Sequence, residues 1–384
     1  MHILIVTAAF GVLASLAYYL GASGVALRFA RQAAVPLPPL PDHPPRVAML
    51  KPLYLLDAEH LANLETFFQV DYPAADLVIG VPNVIGWAAD QIAQLVARYP
   101  DKRLIVVTEA EPGCANRKIA KLIRMVEQVP EAEVFVLSDG DIVVEPDYLR
   151  RLIAELDAPG VGAVTCAYRA RPVETLAARF EALFINTDFA PMVMLSELLE
   201  PLRHAYGATI AIKRGALDAI GGFQVLKDLL ADDFFLGRLT AARGFEVKLS
   251  RTLVTINCTQ RRFAEFWSHQ LRWARTYRTA RPESLATIII YGPFWGLVLM
   301  LAAHFSPAAL AIFAVVIAAR LAMAALLIDR VLGVKQMLAD LVLVPIKDLM
   351  MTGIWFASFA SNKVTWGGRR FRILSGGAMQ EVDG

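Results

Sequence analysis

The sequence predicts an α/β domain placed between an N-terminal transmembrane anchor and a C-terminal membrane-embedded region. The composition is unusually apolar, with 56% hydrophobic and 19% charged residues, whereas soluble domains average about 45–50% and about 25%. The longest uncharged stretches lie towards the two ends of the chain. Between them, short apolar runs alternate with longer helix-like segments, a pattern typical of a largely parallel sheet covered by helices.

The anchor is predicted over residues 1–31. Residues 3–27 carry no charge, and as a helix they would be about 37 Å long, enough to cross a bilayer. The stretch is longer than a signal-peptide core and has no basic stretch before it, so we interpret it as uncleaved. Arg28 and Arg31 follow directly, which favours a cytoplasmic position for the next segment. Residues 32–45 are proline-rich and predict a stiff linker.

The α/β domain is predicted over residues 46–260. Five apolar runs predict strands, at 46–50, 76–81, 103–108, 134–138 and 161–166. Helix-like segments occupy 57–70, 87–99 and 115–129, and residues 206–223 predict a strand, a helix and a glycine turn.

Two aspartates follow the fourth of these strands, in "VFVLSDGDIV". Ligands of parallel sheets bind at the carboxyl ends of the strands. Asp139 and Asp141 are therefore candidate oxygen ligands for Mg²⁺ or Mn²⁺, which would in turn hold phosphate oxygens. The alternative is an ordinary Asp-Gly turn.

The remaining chain predicts contact with the membrane. Residues 261–282 interleave arginines with aromatic residues, which favours an amphipathic interfacial helix. Residues 283–384 predict a C-terminal membrane region and a basic tail, with 285–305 and 307–328 each long enough to span. The segment 338–360 contains Pro345, Lys347 and Asp348, so we expect it to pack inside a bundle or lie at the interface. The tail "GGRRFR" (367–372) is expected on the cytoplasmic side.

Charge and cysteine content exclude some classes of protein. The net charge is only +2, so nothing indicates nucleic-acid binding. Cys114, Cys166 and Cys258 are odd in number and lack metal-type spacing, which fits buried residues in a reducing compartment.

Four motifs resemble those of the ceramide glucosyltransferases and their bacterial relatives, including the hopanoid-biosynthesis-associated glycosyltransferases: "KPLYLLDAEHLANLETFFQVDYP", "SDGD", "ADDFFLGRLTAARGFEV" and "QLRW". The resemblance covers nearly the whole chain. It implies a GT-A (nucleotide-diphospho-sugar transferase) fold and an inverting transfer from a UDP-sugar to a lipid hydroxyl, on ceramide in sphingolipid metabolism or on a hopanoid. It also implies an integral membrane protein with a cytoplasmic catalytic domain, in a bacterial inner membrane.

The functional residues of the family carry over by position. Asp139 corresponds to its second motif aspartate, at the donor diphosphate and ribose, and Asp141 would join it at the metal. Asp233 corresponds to the third aspartate and would be the catalytic base, with Asp232 orienting it or capping the helix. The other positions expected near the donor are Lys51, Asn83, Asn116, Lys118, Gln270, Arg272 and Trp273.

The chain departs from the family pattern at three positions. Relatives often carry an aspartate where this chain has Asn83, and the first position of the (Q/R)xxRW motif is His269. A histidine of the eukaryotic ceramide enzymes is replaced by Phe189. The last difference leaves the acceptor open between ceramide and a hopanoid.

Other functions remain open from the sequence. A haloacid-dehalogenase-like phosphatase would use "VFVLSDGDIV" with Thr165, Lys213 and the Asp232–Asp233 pair, but it leaves 46–133 and the "QLRW" helix without a role. A non-catalytic membrane binding protein would explain Asn83 and His269. A processive polysaccharide synthase would need more membrane spans.

Overall fold

The computed structural model describes residues 1–36, 39–199 and 201–382. Residues 37 and 38 of the predicted linker, and 383 and 384 of the predicted C-terminal region, lie outside that part. Within it the α/β region contains eight strands: β1 Val47–Pro52, β2 Ala75–Gly80, β3 Leu104–Val107, β4 Val134–Ser138, β5 Ile142–Val143, β6 Val161–Pro172, β7 Thr209–Lys213 and β8 Glu246–Cys258.

These strands form one mixed sheet in the order β3-β2-β1-β4-β7-β6-β8-β5. Strands β1 to β4 are parallel, as the apolar runs predict. The prediction of a largely parallel sheet holds for six of the eight described strands, because β6 and β8 pair in parallel and run in the direction of β1 to β4. The two described exceptions are β7, which is antiparallel to both β4 and β6, and β5, which is antiparallel to β8. An apolar run shows that a strand is buried but carries no information on its direction.

Helices cover the sheet: α2 Ala58–Phe68, α3 Trp87–Arg98, α4 Arg117–Glu127, α5 Tyr148–Leu156, α6 Leu176–Phe184, α7 Ala190–Leu199, α8 Arg214–Ile220, α9 Asp232–Ala242 and α10 Phe263–Ala280. A π-helical turn, Ile185–Phe189, joins α6 to α7. Several helices begin at a side-chain cap that satisfies free backbone N–H groups. Asp57 caps α2, Asn116 caps α4 and Thr175 caps α6.

The apolar helices are α1 His2–Ala33, α11 Gly292–Ala302, α12 Pro307–Leu326 and α13 Val344–Ser358, with 3₁₀ segments at Pro282–Ile290 and Lys335–Leu343. Two described helices are long and apolar enough to cross a membrane, His2–Ala33 and Pro307–Val331. The predicted span 285–305 corresponds to two helical pieces, Ser284–Ile290 and Gly292–Ala302, which together are long and apolar enough to cross a membrane but meet at a bend of 67°. Pro293 follows the bend, and its ring prevents an uninterrupted helix through this point.

A cluster of four buried charges joins the apolar helices to the α/β region. Arg320 of α12 donates to Asp348 of α13 at 2.8 Å and also bonds Asp188 of the π-helical turn. Lys347 donates to Asp188 at 2.6 Å and contacts Asp348 at 2.6 Å. All four side chains are fully or almost fully buried, so one face of α13 packs inside the protein, whereas Ile346, Leu349 and Phe356 of the same helix are exposed. The two acids compensate the two bases, which a buried ionic group requires.

The C-terminal residues form a second, three-stranded sheet: β9 Lys363–Trp366, β10 Arg369–Ile373 and β11 Met379–Glu381. The predicted basic tail is therefore the β9–β10 turn and most of β10. The N–H of Met379 donates to the carbonyl of Asp228 (2.7 Å), and that of Leu230 to the carbonyl of Gly377 (3.2 Å). These bonds attach the C-terminal sheet to the segment that leads into α9.

Candidate active site

The turn Asp139-Gly140-Asp141 follows β4, at the carboxyl end where the sequence predicts it. Its backbone is held by buried side chains. The Lys51 ammonium donates to the carbonyls of Asp139 (2.7 Å) and Ile142 (3.3 Å). Gly140 packs closely, since a Cβ there would lie 2.9 Å from a Leu53 methyl carbon. The turn is therefore fixed in one conformation before any ligand arrives.

Two asparagines that the sequence analysis did not single out complete this support. Asn63 donates to the carbonyl of Gly140 (3.4 Å), and Asn257 donates to the Asn63 side chain (2.8 Å). The backbone N–H of Asn257 donates to the carbonyl of Asp141 (3.1 Å). Asn63 lies in the specific "NLETFF" stretch, and its burial among apolar neighbours was the available signal, because a buried amide needs partners.

Lys118 links the two pairs of aspartates. Its ammonium lies 2.8 Å from Asp139 Oδ1 and 3.1 Å from Asp232 Oδ2. Asn116 fixes the start of α4 by accepting from the N–H groups of Lys118 and Ile119, and its amide donates to the carbonyl of Leu229 (2.8 Å). Lys118 thus faces the aspartates of the site, whereas the buried Asn116 side chain makes its hydrogen bonds within the protein.

Asp233 lies in the first turn of α9, beside this network. Burial, and to a lesser extent the charge of Asp232, raises the pKa of Asp233 to about 7, while Lys118 opposes the shift. One carboxylate oxygen accepts from the Phe234 N–H (2.8 Å). The other is close to Gly207, where a Cβ would lie 3.0 Å from it. The carboxylate is thus held in place with a pKa suited to accepting a proton near neutral pH.

Asp141 has the character of a cation ligand. Burial and the neighbouring Asp139 raise the pKa of Asp141 to about 6, and Lys51 opposes the shift. Burial lowers the pKa of Lys51 to about 7 against the attraction of the two aspartates. Asp141 Oδ1 is buried and has no hydrogen-bond partner among the described residues. A hard divalent cation would satisfy this oxygen.

The donor set for such a cation is small. Within the described ranges, no three His, Cys, Asp or Glu side chains converge as metal ligands. Asp139 and Asp141 are adjacent carboxylates, and Mg²⁺ is commonly held by one or two carboxylates with substrate phosphates and water filling the other positions. The residues present therefore fit a metal that is bound together with a phosphate-containing substrate.

Helix α10 carries the "HQLRW" motif on two faces. His269 Nδ1 and the Gln270 amide both lie against Glu181 Oε1, at 2.8 and 2.9 Å. Gln270 is buried there and does not face the aspartates. Arg272 points into a cavity between α10 and the C-terminal sheet. Glu181, almost fully buried on α6, was not predicted, and nothing in its local sequence distinguishes it from a surface residue.

Trp273 belongs to an aromatic group beside the cleft. Its ring centroid lies 4.9 Å from that of His269 and 5.8 Å from that of Phe189. Phe189 in turn packs against Tyr168 (4.8 Å) and Tyr206 (5.8 Å).

Asn83 follows β2 at the carboxyl edge of the parallel strands. It lies exposed in the loop after β2, and no described hydrogen bond links it to the aspartates.

The phosphatase alternative is incompatible with the strand register. In the antiparallel pair β4–β7, Ser138 lies opposite Thr209, and Val134 lies opposite Lys213. Lys213 is therefore at the far end of β4 from Asp139. Thr165 is occupied with the backbone of Tyr206, whose carbonyl accepts from its hydroxyl (2.9 Å).

Comparison with solved structures identifies the fold as that of a GT-A glycosyltransferase. A mannosyltransferase from Pyrobaculum calidifontis, solved with GDP-Man and Mn²⁺, superposes with a TM-score of 0.51 at 19% identity, over 92% of this chain and 98% of that one.

Residues 7–379 match glycosyl transferase family 21, and the chain belongs to that family. Two ceramide glucosyltransferases of Caenorhabditis elegans are similar in sequence. Ceramide glucosyltransferase 1 is 23% identical, in a match that covers 60% of this chain and 49% of the relative. Ceramide glucosyltransferase 3 is 22% identical, in a match that covers 63% of this chain and 52% of the relative. The chain spans about half the length of these curated relatives.

Proposed function

We propose that this membrane protein transfers a sugar from a UDP-sugar to a lipid hydroxyl, with inversion at the sugar carbon. The catalytic domain would face the cytoplasm, at a bacterial inner membrane. The observation that carries the proposal is the position of Asp233. A partly buried carboxylate with a pKa near 7 lies beside a lysine and a pair of candidate metal ligands, in a chain of glycosyl transferase family 21.

On the donor side, Asp139 and Asp141 would hold the metal and through it the diphosphate. When bound there, Mg²⁺ or Mn²⁺ supplies Lewis-acid neutralisation of the leaving group. Lys118 and Arg272 add donors to the same phosphate oxygens, and Arg272 can do so through two N–H groups at once. Three residues act by positioning other parts of the site. Lys51 positions the Asp139–Asp141 turn, Asn116 positions α4, and Gln270 positions α10. Asn83 would contact the uracil or ribose without adding charge.

On the acceptor side, Asp233 accepts the proton of the lipid hydroxyl as that oxygen attacks the sugar. General-base catalysis of this kind typically contributes about 10²–10⁴-fold to the rate. Asp232 keeps the pKa of Asp233 high by repulsion, and its own charge is balanced by Lys118. Partly exposed Trp273, which packs on the buried Phe189, offers an apolar surface for the lipid. Ceramide and a hopanoid polyol are both candidate acceptors.

The test is a transfer assay with the full chain in detergent and either Mg²⁺ or Mn²⁺. Radiolabelled UDP-glucose and UDP-N-acetylglucosamine are each offered ceramide and a hopanoid polyol, and lipid-extractable label is counted. We expect label in one lipid, reduced at least 100-fold in Asp233→Asn with UDP binding retained. UDP binding without transfer to any lipid would support a binding protein instead. Loss of UDP binding in Asp233→Asn would assign this residue to the donor site.

A further inference from the structure

A strongly basic cavity lies between α10 and the C-terminal sheet. One part, of about 280 Å³, is lined by Arg272, Arg275, Lys363 and Arg370. An adjoining part, of about 360 Å³, shares Arg272 and adds Arg262 with Glu265. Small-molecule sites typically occupy about 300–1,000 Å³, so each part lies at the small end of that range and has room for a compact group such as a diphosphate.

Most of the positive charge in this cavity lacks a counter-charge from the protein. Glu265 is paired with Arg262 at 2.8 Å and accepts from the backbone of Arg261. Within residues 1–36, 39–199 and 201–382, no carboxylate forms an ion pair with Arg272, Arg275, Lys363 or Arg370. Burial lowers the pKa of both Arg272 and Arg275. Lys363 and Arg370 are exposed, so water and salt screen part of the repulsion among these cations. An anionic ligand bound between them would remove the remaining repulsion.

The cavity borders the cleft that contains the aspartates. Its Gly367 forms part of the β9–β10 turn, and a Cβ there would lie 3.3 Å from the Tyr54 hydroxyl. Tyr54 follows β1 closely, and Lys121 lies 4.8 Å from the centre of its ring. Arg272 interacts electrostatically with both Tyr54 and Asp139. An anion in the cavity would therefore be near the turn that is proposed to hold the metal.

We propose that the C-terminal sheet completes the donor site, with Lys363 and Arg370 binding the diphosphate of the nucleotide-sugar opposite the metal-binding turn. The assignment rests on the proposed function. A diphosphate carries several negative charges on a compact group, which matches convergent cations. Ceramide and hopanoid polyols are uncharged and would leave these cations unpaired. The sheet would thus act as a wall of the donor site, contributed by the last residues of the family match.

The experiment measures UDP and uridine affinity by calorimetry on the full chain in phosphatidylcholine nanodiscs. The variants are Lys363→Gln, Arg370→Gln and their combination. The matched control is Arg369→Gln, which removes the same charge from the same strand but from its other face, where Arg369 pairs with Glu381, and which does not line the cavity. We expect each cavity variant to weaken UDP binding about 10-fold and the double variant about 100-fold. Uridine, which lacks phosphate, should bind all proteins within about twofold.

The outcomes separate this assignment from the proposed function. Unaltered protein that binds no UDP overturns the proposed function, and the assignment with it. Normal UDP binding in both the unaltered protein and the double variant overturns only the assignment. A second arm replaces part of the phosphatidylcholine with phosphatidylglycerol and measures transfer activity. If phosphatidylglycerol stimulates the unaltered protein but not the double variant, while their UDP affinities match, the cavity is a lipid-headgroup site.

Discussion

The pH dependence of transfer should report the ionisation of Asp233. Burial and Asp232 raise the pKa of this carboxyl from 3.8 to about 7. A general base acts only when deprotonated, so activity is present above this pKa and is lost as the pH falls through it. At pH 6 about one-tenth, and at pH 5 about one-hundredth, of the protein carries the ionised base. We therefore expect kcat/KM to fall about tenfold per pH unit below pH 7.

Two neighbouring substitutions should move this midpoint in opposite directions. Asp232→Asn removes the repulsion that raises the pKa of Asp233, so the midpoint should shift to lower pH. Lys118→Met removes the cation that opposes the rise, so the midpoint should shift to higher pH. A shift of one unit corresponds to about 1.4 kcal/mol, and we expect about one unit for each. Exposed Asp147, at the start of α5, provides a control, and Asp147→Asn should leave the midpoint unchanged.

The assay is kcat/KM for the UDP-sugar from pH 5 to pH 9, with the acceptor held well below its KM and the metal saturating, because the ratio then reports ionisations of the enzyme free of both substrates. Both variants will be slower, but only the midpoint is interpreted. Shifts in the same direction, or an acid limb that neither substitution moves, would refute the assignment of Asp233 as the titrating base.

Three further predictions concern stability and packing. Burial lowers the pKa of Lys51 in the folded protein to about 7. Between pH 7 and pH 10 this lysine is therefore protonated in the unfolded chain but mostly neutral in the folded protein. Thermal stability should rise with pH over this range, and should rise less in Lys51→Met. Arg320→Met leaves buried carboxylates without one of their counter-charges, and we expect the free energy of unfolding, measured by heat or denaturant, to fall by about 3–5 kcal/mol. The exposed control Arg262→Gln should lower it by less than about 1 kcal/mol. Gly237→Ala places a methyl group against the backbone nitrogen of Ala205, in the loop before β7, so α9 must shift and transfer should fall at least about tenfold. Gly215→Ala, with nothing within 4 Å, should retain activity.

The parallel half of the sheet and the position of the Asp139–Asp141 turn follow from simple rules. Four short apolar runs separated by helix-like segments specify β1 to β4, and the carboxyl-end rule places the two aspartates at the ligand side. The caps at Asp57 and Asn116 also follow from residue type. These features are local, or depend on one general property of parallel sheets.

Other parts depend on contacts between distant segments. Glu181 is an unremarkable helix residue in sequence, yet it organises His269 and Gln270 because the chain brings α6 against α10. The strands of the C-terminal sheet are only three to five residues long and rich in charge, so alternation predicts them poorly. Their partner, the segment before α9, lies about 150 residues earlier in the chain.

The attachment of the C-terminal sheet also has a consequence for the timing of synthesis. Leu229 and Ala378 pair as a β-bridge, and the N–H of Met379 donates to the carbonyl of Asp228. The segment that leads into Asp232 and Asp233 therefore gains its last backbone partners only from residues near 379. During translation those residues emerge after the apolar helices have been made. A nascent chain would therefore hold its aspartates in an unfinished cleft until the membrane helices are in place. Maturation of the cleft would then depend on completed membrane insertion.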